Sequence, residues 1–230
     1  MEHTQKQFGE MLDTLKERVL RMGGLVEHSI GRAVRSLVDR DSSMAQQVID
    51  DDVLIDRAEL EIDELCMETL ARYQPMAGDL RFITTAMMIT SDLERIADHA
   101  ANISERALEL NEEPPLKPVI DVPLMASLAQ EMVRSALDAF VRKDADAART
   151  TIAMDLELNR RMEQMFHALL SHMAANPRSI SRGLRLSFVS KYIERIGDMA
   201  KNICEQVVFL AKGEVIKHPR AQRGSGGESA

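Results

Sequence analysis

The chain has 230 residues, enough for one or two domains with a substantial buried core. Aromatic residues make up only 3% of it and Trp is absent, a composition that argues against an all-β sandwich or barrel. With 37 acidic and 29 basic residues the formal net charge is −8, which argues against binding to nucleic-acid phosphates.

Targeting and redox signals are also weak. Residues 1–18 are polar and charged, with no apolar signal-peptide core, and no apolar run reaches the roughly 18 residues of a membrane span. Cys66 and Cys204 fit neither a disulfide framework nor a cysteine-based zinc site. We therefore expect a cytoplasmic protein with both cysteines as small helix residues.

The periodicity of apolar residues is helical throughout. Leu93, Ile96, Ala97 and Ala100, for example, recur at the spacing of one helix face. Taken in chain order, the pattern predicts six helices at about 4–38, 42–72, 79–110, 123–142, 144–174 and 179–212. Asp41 and Asp79 carry the side chain preferred at a helix N-cap, and Asp144 marks the turn before the fifth helix.

Proline and glycine divide the chain. Four of the seven prolines fall between residues 114 and 123, where no helix can continue. From Gly213 onward glycine, serine and proline accumulate, which is typical of a disordered tail. These signals predict a first bundle at 1–110, a linker at 111–122, a second bundle at 123–212 and a tail at 213–230.

An internal repeat relates the two halves. Residues 94–105 match residues 194–205 at eight of twelve positions, at an offset of 100. Upstream, residues 37–41 parallel residues 140–144 at an offset of 103. Two amphipathic helices that resemble each other only by chance would share an apolar pattern but need not share polar residues in register. The repeat predicts an all-α fold of two tandem three-helix bundles related by duplication.

Acidic residues form stripes on two helices of the first half. On the third helix, the polar residues of the repeat fall within about 80° of the helix surface, and a matching acidic stripe follows the second helix. Like charges this close repel one another, and a hard divalent or ferric cation between the helices would remove that cost. The pattern predicts a metal site formed by Asp52, Asp56, Glu94 and Asp98.

The second half offers a poorer set of ligands. Asp155, Glu194 and Asp198 are present, but Asn159 brings no charge, and Met162 and Phe166 replace the acids that follow in the first half. We expect a weaker second site there. The alternative for both halves is an ordinary solvated acidic face, balanced by arginines at positions 57, 95, 160 and 195.

Other site chemistries have less support. His99 lies beside Asp98, but the repeat replaces it by Met199. No nucleotide-binding glycine motif, zinc-protease motif or serine-hydrolase elbow occurs.

The repeated segments 94–100 and 194–198, together with residues 75–81 ahead of the third helix, resemble the paired signature of the PhoU family. The resemblance covers about residues 4–212 and includes the duplication. It implies a fold of two similar three-helix bundles, commonly dimeric. It also implies that the acidic motifs bind metals, in some members as clusters of several ions. The sequence departs from the family at Asn159 and Met199, where an acid and a histidine are more frequent.

The same resemblance implies a function. PhoU proteins link the ATPase of the phosphate ABC transporter to a phosphate-sensing histidine kinase, and they hold the phosphate regulon off when phosphate is plentiful. It therefore predicts a non-enzymatic regulator that meets the membrane only through its partners. Two alternatives stay open: an accessory protein of a different phosphate transporter, and a metal-dependent enzyme on a helical bundle. The enzyme is the less favoured, because no general base or nucleophile is common to both halves.

Overall fold

The computed structural model describes residues 2–116 and 121–217, and this part of the chain is helical without any strand. Six long helices follow one another, and a short 3-10 turn at Pro177–Ser179 leads into the last of them. The six-helix prediction is therefore confirmed, with ends that move by up to two residues. The helices are α1 (Glu2–Val38), α2 (Ser42–Tyr73), α3 (Ala77–Asn111), α4 (Val122–Arg142), α5 (Ala145–Ala175) and α6 (Ile180–Lys212).

Of the two predicted N-caps, Asp41 is confirmed and Asp79 is not. Asp144, predicted only to mark the turn before the fifth helix, is the N-cap of α5. The Asp41 carboxylate accepts a hydrogen bond from the Met44 amide, and the Asp144 carboxylate accepts from two amides of α5. The N-cap prediction for Asp79 is wrong. Its own amide donates to the carbonyl of Met76, so the first turn of α3 has already formed, and Asp79 lies within it.

The two halves pack side by side. Within each half the three sequential helices contact one another, and across the halves α3 packs along α6 and α1 along α4. Their buried side chains form one hydrophobic cluster that runs through both bundles. At Gly23 a side chain would collide with Leu137, so the glycine permits the close approach of α1 and α4.

Polar and aromatic contacts reinforce this seam. Phe82 of α3 stacks on Phe140 of α4 with ring centroids 5.3 Å apart. Arg185 of α6 reaches Glu109 and Glu113 at 2.6 Å each, which ties the end of α3 to α6. The two bundles therefore share a core and do not stand as separate bodies.

The linker and tail are only partly described. Helix α3 ends at Asn111 and α4 begins at Val122, so the helical interruption lies at the proline cluster, but residues 117–120 lie outside the described part. Gly213 closes α6 in a left-handed conformation with φ of 72°. The predicted disorder of the tail concerns mainly residues 218–230, which are also outside it, and the predicted domain limits stay a prediction.

The shared core leads to a first prediction. Phe82→Ala removes a ring that is 6% exposed and that packs on the other half, and we expect it to lower the free energy of unfolding by about 3–5 kcal/mol. Urea unfolding followed by circular dichroism should show one transition, because the halves unfold together. Met88→Ala on the same helix, at a side chain that is 50% exposed, is the control. Two separate transitions would contradict a common core.

Candidate functional site

The α2–α3 seam brings together the acidic residues predicted in the first half. Ile55 and Ile62 of α2 and Leu93 and Ile96 of α3 are buried, which fixes the rotation of both helices. The carboxylates lie at the edge of this apolar strip. Asp52, Glu59, Asp63 and Glu94 are half-buried there, while Asp56 and Asp98 are exposed.

The electrostatics show that these side chains are neighbours. Burial, together with repulsion from Asp56 and Asp98, raises the pKa of Asp52 to about 6. Burial likewise raises the pKa of Glu94 to about 7, together with the charges of Asp98 and the α2 carboxylates. The predicted set of Asp52, Asp56, Glu94 and Asp98 is therefore one electrostatically coupled group.

Two further α2 carboxylates belong to it. Burial is the main cause of the raised pKa of Glu59, and repulsion from Asp63 and Asp56 adds to it. Burial also raises the pKa of Asp63. We call Asp52, Asp56, Glu59, Asp63, Glu94 and Asp98 the first acidic cluster.

The first acidic cluster has no counter-ion in the described part of the chain. None of its six carboxylates lies within 4.0 Å of a Lys, Arg or His nitrogen, although neighbouring Asp51 pairs with Arg32 at 2.7 Å. Arg57 and Arg95, which the sequence offered as balancing charges, form no ion pair there either. The negative charge of this seam is therefore not compensated by the chain itself.

The cluster suits a hard cation in ligand type and charge, but it is not preassembled. Among the described residues no three His, Cys, Asp or Glu side chains are grouped so that they could hold a metal ion. Coordination would require the exposed Asp56 and Asp98 to turn toward the half-buried acids. The seam thus offers carboxylate oxygens, the ligands that hard cations prefer, but a bound cation would have to bring them closer together.

The second acidic cluster, Asp155, Glu194 and Asp198, is arranged differently. Asp155 is only 5% exposed, and its Oδ2 accepts hydrogen bonds from Lys201 Nζ at 3.0 Å and Asn159 Nδ2 at 3.2 Å. Glu194 lies 2.6 Å from Lys191 Nζ, and Asp198 lies 3.4 Å from Arg195. Each acid of this cluster therefore has its own basic partner.

Sequence reasoning did not single out Lys191 and Lys201. The signal was present in the repeat, since the offset of 100 aligns them with Ser91 and Ala101. Their proximity to the acids, however, depends on how α5 and α6 face each other. These lysines give a second physical reason, besides the neutral Asn159, to expect weak cation binding in the second half.

The other polar residues of the repeat point away from the clusters. Asn102 donates to the Asp98 carbonyl on its own helix, and Glu105 pairs with Arg106. The His99 ring stacks on Tyr192 of α6, 5.8 Å between centroids, and burial lowers its pKa. These residues serve the helix or the α3–α6 seam.

A buried acid at that same seam was also missed. Asp92 is half-buried, and burial raises its pKa to about 6 against the opposing effect of a hydrogen bond with Asn202 of α6. Its counterpart in the repeat is Tyr192, so the internal comparison gave no sign of it.

Comparison with known proteins assigns the fold. The sequence model of the PhoU domain matches the chain twice, at residues 19–107 and 122–207. The chain belongs to the PhoU family. The two matches correspond to the two halves of the duplication, which confirms the resemblance seen in the repeated motifs.

Individual relatives agree over nearly the whole chain. A phosphate-specific transport system accessory protein PhoU homolog of Pseudomonas aeruginosa is 41% identical, covering 94% of this chain and 90% of its own length. A crystal structure of PhoU from the same species superposes with a TM-score of 0.86, at 41% identity, over 90% of this chain and 100% of that one. The phosphate transport system regulatory protein PhoU of Streptococcus pneumoniae gives a TM-score of 0.85 at 29% identity, over 91% and 99%.

The length and apolar character of this chain's helices also bear on membrane crossing. In the described part of the chain, no helix combines the length and apolar character needed to cross a bilayer.

The raised carboxyl pKa values predict a pH dependence. A group whose pKa is higher in the folded state stabilises the fold below its unfolded pKa and loses that contribution as pH rises through the folded value. Asp52 and Glu94 should therefore destabilise the metal-free protein increasingly between about pH 4 and pH 7. Asp52→Asn or Glu94→Gln should flatten this part of the stability profile, measured by urea unfolding in the presence of a chelator.

The matched control is Asp50→Asn, an exposed α2 carboxylate outside the cluster. The electrostatic reading of the cluster is wrong if all three variants follow the wild-type profile between pH 4 and pH 7.

Proposed function

We propose that this chain is a non-enzymatic cytoplasmic regulator of phosphate uptake. In this role it restrains the phosphate ABC transporter and keeps the phosphate regulon off when phosphate is plentiful. The observation that carries the proposal is the match along nearly the whole chain to proteins described as accessory or regulatory components of phosphate transport.

The partners follow from that role. We infer that the chain contacts the transporter's ATPase and a phosphate-sensing histidine kinase, meets the membrane only through them, works as a homodimer and binds no nucleic acid. The net charge of −8 supports the last point. The long exposed surfaces of α2 and α5, the outer helices of the two bundles, leave ample room for such contacts.

A non-enzymatic role is supported by the state of the cysteines. Burial raises the pKa of both Cys66 and Cys204 to about 12, so neither is a thiolate nucleophile at neutral pH. Both side chains are also completely buried. The two thiols therefore offer no reactive nucleophile.

Cation binding would give the regulator a way to respond to its surroundings. Asp52, Asp56, Glu94 and Asp98 would hold a divalent or iron-type ion. Asp155, Glu194 and Asp198 would be the weaker set, because an ion could bind there only by displacing the basic partner that each of these acids already has. The bound ion would supply positive charge between α2 and α3. The chain's own contribution is to place half-buried carboxylates on both helices, so that their mutual repulsion is relieved only when the seam is neutralised.

The regulatory role predicts a phenotype. Deleting the gene should raise expression of phosphate-starvation genes in phosphate-rich medium, because the kinase is no longer held off. A reporter fused to a phosphate-starvation promoter measures this, with the wild-type gene restored on a plasmid as the control. Unchanged reporter expression in the deletion strain would argue for an accessory role at a different phosphate transporter.

The cation role predicts a difference between the halves. A divalent ion should raise the melting temperature, because ligands that bind the folded state stabilise it. Asp98→Asn should reduce this rise more than Asp198→Asn, since Asp198 already pairs with Arg195 and Asp98 has no such partner among the described residues. Calorimetric titration with manganese, iron(II), zinc and magnesium provides the affinities. Equal losses in the two variants, or no binding of any of the four ions, would refute this assignment.

A further inference from the structure

The internal repeat makes the two acidic seams directly comparable. At the offsets set by the duplication, Asp52 corresponds to Asp155, Glu94 to Glu194 and Asp98 to Asp198. In the same alignment of the repeat, Ala101 corresponds to Lys201. The two seams thus share three acids. The second seam has the ammonium group of Lys201 in addition, and Asn159, Met162 and Phe166 replace the other acids of the first.

Lys201 occupies a position that a bound cation would otherwise have to fill. Its Nζ lies 3.0 Å from Asp155 Oδ2, and the Asp155 side chain is 6% exposed. The other oxygen of that carboxylate, Oδ1, is buried and has no hydrogen-bond partner in the described part of the chain. A buried carboxylate is costly without a positive partner, and the lysine supplies one from the neighbouring helix.

The surroundings of Lys201 are acidic on more than one side. The hydrogen bond that Lys201 donates to Asp155 is the main cause of its raised pKa, and the charges of Glu205 and Asp198 add to it. Lys191 and Arg195 neutralise the remaining acids, Glu194 and Asp198. Among the described residues, each of the three acids of the second acidic cluster therefore has a basic partner, whereas none of the six acids of the first acidic cluster has one.

Ion pairs along the outer helices show the same contrast. Besides Lys201–Asp155, Lys212 of α6 pairs with Asp146 of α5 at 3.7 Å. Between α2 and α3 no ion pair occurs in the described part of the chain, and the arginine contacts of α2 go to α1, through Arg32 and Arg18. Charge pairing thus fixes α5 on α6 but leaves α2 without an ionic tie to α3.

We propose that the Lys201 ammonium is the built-in cation of the second acidic cluster, so that α5 and α6 are held together without metal and only the α2–α3 seam responds to a cation. This inference rests on the cation role proposed above for the first half. It assigns the two duplicated bundles different tasks: one is a permanent framework, and the other closes when an ion is present.

Substitutions that interchange the corresponding residues Lys201 and Ala101 test this assignment. Lys201→Ala installs the residue of the first half and leaves Asp155 buried without its partner. We expect a lower melting temperature in chelator, a larger rise on adding Mn²⁺ than in wild type, and uptake of an additional Mn²⁺ measured by native mass spectrometry. Lys212→Ala is the control, because it removes from the same helix a lysine whose ion pair, with the exposed Asp146, lies at the surface.

Two further variants keep the test decisive if Lys201→Ala folds poorly. The pair Lys201→Ala with Asp155→Asn removes both charges, and it should fold and gain no Mn²⁺. Ala101→Lys places an ammonium where the repeat predicts contact with Asp52, and it should remove Mn²⁺ uptake by the first half. Ala101→Gln, similar in length but uncharged, should retain that uptake.

The outcomes separate this inference from the proposed function. If wild type binds Mn²⁺ and Asp155→Asn reduces uptake as much as Asp52→Asn, Lys201 is not a stand-in cation, while the cation role stands. If Lys201→Ala gains neither Mn²⁺ nor thermal rescue, the inference is overturned in the same way. If wild type takes up none but Lys201→Ala does, the cation role of the first half falls together with the response assigned to the α2–α3 seam, and only the assignment of Lys201 as the cation of the second acidic cluster holds. If neither protein takes up Mn²⁺, both are overturned.

Hydrogen exchange gives an independent readout. Mn²⁺ should slow amide exchange in α2 of wild type and leave α5 unchanged, because only the α2–α3 seam gains a tie. Equal slowing in both helices would contradict the division of tasks.

Discussion

The fold depends on one constraint, the burial of α3 and α6 on more than one side. Each of these helices contacts the two other helices of its own bundle and also the other long central helix. Fourteen residues of α3 are buried, against six of α2, so a single three-helix unit would leave part of α3 in water. Because apolar surface must be covered, the two units pack on each other through α3 and α6.

This central packing determines where charge can lie. The outer helices α2 and α5 each cover one edge of a central helix, where Asp52 and Glu94 of the first half are half-buried and Asp155 and Glu194 of the second half are buried. Carboxylates in such positions lose part of their hydration, which is why burial is the largest cause of the raised pKa values of Asp52 and Glu94. The two seams differ in how the negative charge of their carboxylates is balanced. A lysine pairs with an acid of the second seam, whereas the acids of the first have no basic partner in the described part of the chain.

Much of this was accessible from the sequence, because the underlying signals are local or repetitive. Helical periodicity located six helices, the prolines located the interruption between α3 and α4, and the repeat of residues 94–105 at 194–205 revealed the duplication. The stripe on α2 also predicted which carboxylates would couple with Glu94, since the apolar face fixes the rotation of a helix. These inferences needed no knowledge of how distant helices meet.

What the sequence did not provide are contacts between helices far apart in the chain. The pairing of Lys201 with Asp155 spans 46 positions and depends on the rotation of α5 against α6. Likewise, Arg57 and Arg95 lie close in sequence to acids with which they form no ion pair in the described part of the chain, and spacing along the chain does not decide which way an arginine side chain turns. Asp79 failed as a cap for a different reason: the chain after Pro75 turns into α3 earlier than the cap pattern indicates.

Duplication offers a simple physical route to a responsive protein. Two identical acidic seams would require two cations, and both outer helices would loosen together when those ions were lost. A single lysine in one copy removes half of that requirement, since an ammonium on the chain cannot dissociate as a metal ion can. The shared core then remains covered by α5 at all times. On the proposed cation role, only α2, which carries four of the six carboxylates of the first acidic cluster, would change its packing with the ionic conditions. A partner bound to α2 would sense that change without unfolding of the whole molecule.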